Sequence, residues 1–424
     1  MTVLAVVLTV LLAIGVPIGF AFALSGSAAL WWLGMPQLSV VSKMFAGLDS
    51  FVLLAAPFYI LAGELMTRGG ISDRLIQLSM IVVGKVRGGT AYAAVVAAVL
   101  FSGISGTAIA DMAALGQIFI NGMPREGYSR AYAAALITAG SVIGPIIPPS
   151  VIMVLYAAVA DVSVLKLFMG GVVPGLLLGA SLAACIFLKG MKGELPRSNV
   201  EIPKGDMPKV IREGLLVLSL PGFIVFGTLS GVFTPTEAGG IAVIYALLLS
   251  IVFFRQMDMA SLFISLRNAA RLTAALFILV AAVEVVNFVL IMEGIAEYTG
   301  QLAGIFAGRP YLFLIVCVIA FLIIGLALDA GPALLLLAPF LLPISRQMGI
   351  DDIHFSMVMI VSCTLGLISP PVGVCLFVAC KIGNITQRQL WKELWPFFTA
   401  ECVVVLLMVF FPVLSTGLVS LLFN

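Results

Sequence analysis

Charged residues are scarce in this chain. Of its 424 residues only 10% are charged, 62% are hydrophobic, and the mean hydropathy is +1.22. A soluble domain carries roughly 25% charged residues, so the composition predicts a polytopic membrane protein. A basic leader is also missing ahead of the first apolar run, Val3 to Leu33. We therefore interpret that run as membrane-spanning and not as a removable signal peptide.

Groups suited to enzyme chemistry are equally few. The single histidine, His354, adjoins Asp351 and Asp352 in a connecting stretch, where we expect it at the surface. The six cysteines lie in apolar runs and none pairs with a histidine, so we expect reduced core thiols. No G-x-x-x-x-G-K-[ST] motif occurs, which excludes P-loop nucleotide hydrolysis. The composition gives no indication of an enzyme or of a nucleic-acid partner.

Two copies of a proline-centred interruption stand out instead. Gly144–Ser150 reads GPIIPPS, and Gly366–Gly373 reads GLISPPVG. Each lies midway along an apolar run, and a Pro-Pro pair removes two backbone donors, so the helix must break at membrane depth. Such a break survives only inside protein or beside a polar cavity. Breaks in matching positions of two halves are typical of the midplane site of a secondary transporter.

Apolar runs of about 17–25 residues mark candidate membrane spans. Two lie within Val3–Leu33, divided at Gly15-Val16-Pro17, and the others are at 46–67, 131–160, 164–188, 213–232, 236–254, 272–292, 353–380 and 397–421. Two further apolar stretches, 91–120 and 311–345, are interrupted by Ser102–Thr107 and by Gly325–Pro332. Each half reaches only about 21–26 Å as helix, so each stretch either crosses once or returns as a hairpin.

The distribution of Lys and Arg favours hairpins. With two hairpins, 18 of the 22 basic residues lie on one side, leaving Lys43, Lys166, Arg309 and Arg346 on the other. With two crossings the split is 9 against 13. Cytoplasmic loops collect basic residues. The sequence therefore predicts an all-α protein of ten spans and two re-entrant hairpins, with both termini on the periplasmic side.

An internal repeat relates the two halves. At a constant offset of 222 residues, Gly103 matches Gly325, Gly144 matches Gly366, and Pro148-Pro149 match Pro370-Pro371. Each copy holds an odd number of spans, five, so the sequence predicts two inverted repeats. The expected divisions are repeat 1 at 1–188 (hairpin about 89–122, broken helix about 131–160), a cytoplasmic linker at 189–212, and repeat 2 at 213–424 (hairpin about 310–345, broken helix about 353–382). The segments 72–86 and 295–307 are expected to be interfacial amphipathic arms.

The hairpin tips are rich in small and hydroxyl residues. Helix-end carbonyls there can ligate Na⁺, and helix N-termini can hold an anion. The alternative is that small residues only allow close helix packing, as Gly175 and Gly179 do. Among the acids, Asp329 is the strongest functional candidate and Asp111 the second, because an intramembrane acid is costly unless it is paired or hydrated.

Three other acids have structural interpretations. Glu64 and Glu284 lie in the spans before the two hairpins, where they can pack against polar backbone. Thr234-Pro-Thr-Glu237 is a capping box, with Thr234 as N-cap and Glu237 three residues later.

Four segments together resemble one family. Phe101–Asp111, Gly144–Ser150, Thr234–Ala238 and Ser369–Gly373 are similar to the large (M, DctM-type) membrane subunit of tripartite ATP-independent periplasmic (TRAP) transporters. The resemblance covers essentially the whole chain. It implies an elevator-type secondary transporter of the bacterial inner membrane that couples uptake of an organic acid to Na⁺ entry. The implied partners are a small four-span (Q) membrane subunit and a periplasmic substrate-binding (P) protein.

The resemblance also implies roles for the tips and breaks. The organic acid would be a C4-dicarboxylate, a sialic acid or a similar carboxylate. The expected substrate-binding residues are Ser105, Thr107, Ser150, Asp329 and Gly373. The expected Na⁺-binding residues are Ser102, Gly103, Gly106, Gly144, Pro148, Gly325, Gly331, Gly366, Ser369 and Pro370.

Two other functions remain open at this stage. A stand-alone ion-coupled carrier or channel would share the repeat but would need no soluble partner. An intramembrane aspartyl protease would need two facing acids, and the chain lacks the Tyr-Asp and Gly-x-Gly-Asp motifs of such a pair.

Overall fold

Twenty α-helices make up nearly all of the described chain. This computed structural model describes residues 1–83, 86–197, 207–326 and 328–423, and the side chains of all of these except Ile104, Ser105 and Ala296. Part of the predicted linker, 198–206, lies outside the described residues. Within those ranges the only strand-like pairing is an isolated bridge between Arg87 and Arg197. The prediction of an all-α protein is confirmed for these residues.

The first half contains ten of the helices. They are α1 Thr2–Ala13, α2 Ile18–Trp32, α3 Leu38–Leu48, α4 Ala55–Arg68, α5 Ile71–Val83, α6 Gly89–Ser105, α7 Ala108–Gly122, α8 Arg130–Ser141, α9 Val151–Ala160 and α10 Val164–Met191. Two 3-10 turns, Phe51–Leu54 and Met123–Glu126, precede α4 and α8. The predicted division of the first apolar run is confirmed, because α1 and α2 are separate helices.

The second half contains the other ten. They are α11 Met207–Leu229, α12 Pro235–Leu247, α13 Met259–Met292, α14 Ile295–Ile305, α15 Pro310–Gly325, α16 Ala330–Gln347, α17 Asp352–Gly366, α18 Val374–Gly383, α19 Gln387–Phe410 and α20 Val413–Phe423. A π-helical turn, Leu248–Phe253, extends α12. The predicted capping box is confirmed, because Glu237 accepts from the N–H of Thr234 while the Thr234 hydroxyl accepts from the N–H of Glu237.

Several helices are long and apolar enough to cross a bilayer. Among the described residues six meet this condition: Phe51–Arg68, Val164–Met191, Met207–Leu229, Pro235–Phe253, Met259–Met292 and Gln387–Phe410. A bent pair, Glu297–Ile305 with Pro310–Gly325, would make a seventh, its two parts meeting at 113°. The chain is therefore a multi-pass membrane protein. The two proline-broken runs and the first apolar run are built from shorter helices, so the predicted count of ten spans remains a prediction.

Two predicted spans have different bounds in the structure. The span predicted at 272–292 begins instead at Met259, because the Asp258 carboxylate caps the helix by accepting from the N–H of Ser261. This hydrogen bonding lowers the pKa of Asp258. The span predicted at 397–421 is instead α19 and α20, since Pro412 has no N–H and Phe411 leaves the helical region at φ −122°.

The surface position predicted for His354 is wrong. Its side chain is 1% exposed, because α20 folds back onto α10 and α17 and covers it. Nδ1 of His354 lies 2.8 Å from Oγ of Ser415. The histidine therefore joins α17 to α20 at the end of the chain.

Helix packing divides most of the chain into two groups. In one group α13 packs on α2, α3 and α4, while α12 packs on α4 and α11. In the other group α8 packs on α6, α7 and α19, and α17 packs on α10, α15 and α16. The two groups meet where α4 contacts α6 and α9, and where α13 contacts α16. This arrangement brings both predicted hairpins and both broken helices into one group.

Close packing of α10 on the first break gives a stability prediction. A Cβ placed on Gly171 would lie 2.1 Å from the carbonyl oxygen of Ile146, which is backbone and cannot rotate away. We expect Gly171→Ala to lower the free energy of unfolding by about 1–3 kcal/mol, as overpacking does. Thermal unfolding in detergent would measure this loss.

The matched control is the same substitution at Gly222. No atom lies within 4 Å of a Cβ placed there. Because alanine favours the helix over glycine, Gly222→Ala should leave stability unchanged or raise it by about 0.5–1 kcal/mol. Equal melting temperatures for the two variants would contradict the close contact between α10 and the break.

Candidate functional site

The first hairpin tip is the turn between α6 and α7. Helix α6 ends at Ser105, and Gly106 adopts φ 63°, a left-handed conformation that glycine tolerates. Thr107 then caps α7, its hydroxyl accepting from the N–H of Ala110. The buried Ser102 hydroxyl donates to the carbonyl of Val99 at 2.6 Å. The oxygen of Ser102 can still accept a bond from another group. The side chain of Ser105 lies outside the described residues.

The first break occupies 142–150, between α8 and α9. It contains a cis peptide bond between Pro148 and Pro149. Ser150 bridges the turn, because its hydroxyl donates to the carbonyl of Pro145 at 2.6 Å and accepts from the N–H of Met153 at 3.3 Å. Ser150 is therefore the N-cap of α9, a role that sequence reasoning did not assign. This break is almost entirely buried.

Tip and break in the first half make backbone contact. A Cβ on Gly103 would lie 3.1 Å from the carbonyl oxygen of Pro148, and one on Gly106 would lie 3.0 Å from the nitrogen of Val151. Asp111, one turn into α7, reaches the same break, since its Oδ2 would be 2.1 Å from a Cβ on Gly144. In this half, the predicted site residues that the structure describes therefore lie close together.

The second hairpin tip joins α15 to α16. Helix α15 ends at Gly325, and Asp329 caps α16 by accepting from the N–H of Ala330 at 2.8 Å. Residue 327 lies outside the described residues. Gly331, in the first turn of α16, is buried. Asp329 as a residue is exposed, while its Oδ1 is engaged by the N–H of Ala330.

The second break occupies 367–373, between α17 and α18. Its cis peptide bond joins Pro370 to Pro371, and the Ser369 hydroxyl donates to the carbonyl of Leu365 at 3.1 Å. Gly373 precedes α18 and supplies no side-chain cap. A Cβ placed on Gly373 would lie 2.6 Å from the carbonyl oxygen of Leu367 and 2.7 Å from that of Ser369. Two carbonyl oxygens therefore pack so closely against Gly373 that no side chain fits at this position.

Tip and break in the second half also touch through glycine. A Cβ on Gly325 would lie 2.6 Å from the carbonyl oxygen of Cys363 and 2.8 Å from Cα of Gly366. The reciprocal distance, from a Cβ on Gly366 to Cα of Gly325, is 2.7 Å. Helices α15 and α17 can approach this closely only because neither position carries a side chain.

The two halves contact each other in this region. Helix α18, which follows the second break, packs on α7 and α8, and α16, which follows the second tip, packs on α9. Cys375, in the first turn of α18, is fully buried. The hairpin of each half therefore lies against the broken helix of the other half.

The two breaks differ in exposure. Pro370, Pro371 and Val372 of the second break are exposed, with Val372 at 44%, whereas the first break is buried except for a partly buried Ile147. Gln387 of α19 donates to the carbonyl of Pro371 at the open surface. The region is thus accessible from the second break and closed at the first.

The positions of Glu64 and Glu284 agree with the packing roles predicted for them. Glu64 accepts from the side-chain amide of Asn268 at 3.4 Å and lies 3.7 Å from Arg68. The stem of Glu284 packs against Gly47, so that a Cβ there would lie 2.7 Å away. Both acids join α13 to the helices beside it.

Sequence reasoning missed one buried acid, Glu401 in α19. Its side chain is 0% exposed, and neither carboxylate oxygen has a hydrogen-bond partner among the described residues. An acid in the middle of the apolar run 397–412 is the signal that identifies it.

Comparisons with known proteins point to one family. The model of the DctM component of the tripartite ATP-independent periplasmic transporters matches residues 5–414. The chain is 36% identical over 405 residues to the 2,3-diketo-L-gulonate TRAP transporter large permease protein YiaN of Escherichia coli K12, covering 95% of this chain and 94% of that protein.

Two further relatives carry different substrate names. The C4-dicarboxylate TRAP transporter large permease protein DctM of Pseudomonas aeruginosa is 36% identical, covering 90% of this chain and 89% of that protein. The sialic acid TRAP transporter large permease protein SiaM of Vibrio cholerae is 32% identical, covering 95% and 94%.

A solved structure shares the fold. The YdaH transporter of Alcanivorax borkumensis superposes with a TM-score of 0.61, covering 88% of this chain and 86% of that one. At 16% identity the likeness concerns the fold alone.

The contact between Gly325 and Gly366 gives a prediction about thiol reactivity. We expect Gly325→Ala to separate the second tip from its break, because the new Cβ would overlap the Cys363 carbonyl. In a background where Cys363 is the only cysteine, its labelling by a maleimide should then accelerate, since the thiol is buried in the native packing.

Gly300→Ala is the control, because no atom lies within 4 Å of a Cβ at that position. Its labelling rate should match that of the parent. Equally slow labelling in Gly325→Ala would show that the tip and the break do not pack as described.

Proposed function

Because the chain belongs to the DctM family of tripartite ATP-independent periplasmic transporter components, we propose that it performs Na⁺-coupled secondary uptake of an organic acid across the bacterial inner membrane. The substrate would be delivered by a periplasmic binding protein, and a small four-span membrane subunit would complete the transporter. The packing of each hairpin against the broken helix of the other half, α7 on α18 and α16 on α9, supports this proposal most directly.

One Na⁺ site is proposed at the second break. Hard cations such as Na⁺ prefer oxygen ligands, and Gly-rich turns supply carbonyl oxygens without adding charge. The carbonyls of Leu367 and Ser369 approach the space beside Gly373. Gly325 and Gly366 hold the second tip against this break, Pro370 belongs to the break, and Gly331 lies next to the tip in the first turn of α16. The tip can thereby add further carbonyl ligands.

A second Na⁺ site is proposed at the first break. Ser102, Gly103 and Gly106 of the tip face the carbonyls of Pro148 and Pro149. Asp111 lies against Gly144 and supplies the charge that favours a cation. In both halves the pairing of a tip with a break is thus proposed to bind Na⁺. We propose that the two halves are inverted repeats.

The substrate is proposed to bind between the tips. The relatives are named for 2,3-diketo-L-gulonate, C4-dicarboxylates and sialic acid, all of which carry a carboxylate. The N-terminus of α18 has no side-chain cap, so it can offer N–H groups to such an anion. Thr107 and Asp329 can bond to other polar groups of the substrate. We place Ser105 and Ser150 in the same proposed site. Ser150 would hold the backbone that lines this site.

Transport is proposed to follow an elevator mechanism. Hairpins α6–α7 and α15–α16 and the broken helices α8–α9 and α17–α18 would move as one body. The remaining spans would be the scaffold, and α10 and α19, which pack on the broken helices, would lie at its boundary with the moving body. The work would come from the Na⁺ gradient, since one charge crossing 100 mV is worth about 2.3 kcal/mol.

The orientation follows from the basic residues. With both termini in the periplasm, 18 of 22 Lys and Arg residues face the cytoplasm. The second hairpin would then enter from the periplasmic side and the first from the cytoplasmic side.

Uptake by reconstituted vesicles tests the proposal. We expect accumulation of a labelled carboxylate only when the small subunit, the binding protein and an inward Na⁺ gradient are all present. Uptake that persists without the binding protein would instead favour a stand-alone carrier. Uptake that ignores the Na⁺ gradient would rule out Na⁺ coupling.

Gly373→Ala tests the proposed Na⁺ site at the second break. The added Cβ would overlap the carbonyl oxygens of Leu367 and Ser369, so that these carbonyls must move. We expect the Na⁺ concentration for half-maximal uptake to rise at least about tenfold, which corresponds to the loss of about 1.4 kcal/mol of binding.

Gly240→Ala is the control, because no atom lies within 4 Å of a Cβ there. It should transport with the Na⁺ dependence of the parent. A Gly373→Ala variant that transports with unchanged Na⁺ dependence would remove this break from the Na⁺ site.

A further inference from the structure

Glu401 lies in the middle of α19, on the face that packs into the protein. Both of its carboxylate oxygens are buried and without a hydrogen-bond partner among the described residues. Residues one turn away on the same face, Phe397 and Val405, are also buried. An ionised carboxylate without a counter-charge is strongly disfavoured in such surroundings, because burial removes its solvation.

No base on the helices around α19 satisfies the carboxylate. Their titratable groups are Arg130 and Tyr132 on α8; Lys166, Cys185 and Lys189 on α10; Tyr311 and Cys317 on α15; Asp352, His354 and Cys363 on α17; and Cys375, Cys380 and Lys381 on α18, with none on α20. Cys185 of α10 donates to the carbonyl of Pro396 on α19 at 3.5 Å, and Cys402 adjoins Glu401 in the chain. Neither thiol is a counter-ion.

Polar side chains line the seam one to two turns before Glu401. Glu393 lies eight residues earlier on α19, about 12 Å along the helix. Its Oε2 is 2.6 Å from Nζ of Lys189 on α10, and both side chains are partly exposed, at 29% and 22%. Lys189 in turn lies 4.7 Å from the ring centroid of Tyr132. The buried Tyr132 hydroxyl has no hydrogen-bond partner in the part of the chain that the structure describes, and its ring contacts that of Phe397, one turn before Glu401, at 5.9 Å.

We propose that Glu401 is a reversible proton-binding site. In the conformation described, its carboxyl group is buried and protonated. Proton exchange would occur when the seam between α8, α10 and α19 opens at its Lys189–Glu393 end. The step is a simple proton transfer: a carboxylate accepts one proton and becomes a neutral acid. Proton binding at Glu401 does not depend on the proposed Na⁺-coupled uptake. Only the expectation that uptake responds to pH rests on that proposed function.

Infrared spectroscopy of the purified chain tests the site without transport. We expect the carbonyl stretch of a protonated carboxylic acid, which disappears on raising the pH and is missing from Glu401→Gln. Glu393→Gln should retain it, since Glu393 is paired with a lysine. A band that is unchanged in Glu401→Gln would overturn the proposal, as would a wild-type Glu401 that is ionised at every pH.

Dicyclohexylcarbodiimide gives a second readout that needs no variant to fold. The reagent takes the proton of a neutral carboxylic acid and forms an O-acylisourea, which rearranges to a stable N-acylurea with no leaving group. Mass spectrometry of wild-type peptides should locate the adduct on Glu401. Its rate of formation should fall about tenfold for each pH unit above the titration midpoint. Adducts confined to other acids, together with the missing infrared band, would reject the site.

Vesicle uptake separates this inference from the proposed function. If uptake follows the Na⁺ gradient and its pH dependence is lost in Glu401→Gln, both stand. If uptake follows the Na⁺ gradient with the same pH dependence in both proteins, the role of Glu401 in the cycle fails alone. If the wild-type transporter ignores the Na⁺ gradient while the band and the adduct are found, the proposed function fails and the proton site stands.

Discussion

Backbone groups without partners are the constraint on which this structure depends. A Pro-Pro pair inside an apolar run removes N–H donors at a depth where no water replaces them. The chain satisfies the remaining groups with short turns and with hydroxyls, as when Ser150 donates to the carbonyl of Pro145 and the N–H of Cys375 bonds to the carbonyl of Leu367. Carbonyls that remain are covered by the hairpin tips. The cover is close because glycines at 103, 106, 325 and 366 let backbone meet backbone.

The same glycines give the region its chemical character. A contact made through side chains would fill the space with hydrocarbon, whereas a contact made through glycine leaves carbonyl oxygens at its surface. In the second half Pro370, Pro371 and Val372 of the break are exposed, whereas in the first half the break is buried. The two halves therefore share the same packing of a tip on a break, but the break is exposed in one half and buried in the other.

Much of this architecture could be predicted from the sequence, because its signals are local. The Pro-Pro pairs locate the breaks, the Gly and Ser clusters locate the tips, and the 222-residue offset relates them. Features that depend on distant segments could not be predicted. His354 looks like a surface residue beside two aspartates until α20 covers it, and the capping of α13 by Asp258 adds residues that an apolar window leaves out. Ser150 illustrates the limit within the site, since its sequence position does not reveal whether it serves a ligand or the backbone.

Helix α13 is unusually long for a membrane span. Its 34 residues extend about 51 Å, while the hydrocarbon core of a bilayer is about 30 Å thick. The helix must therefore lean or project beyond the lipid, and α2, α3 and α4 pack along it. A thinner or thicker bilayer changes that lean through hydrophobic mismatch. The acyl-chain length of the surrounding lipid thus affects the angle at which α13 and the helices packed along it cross the membrane.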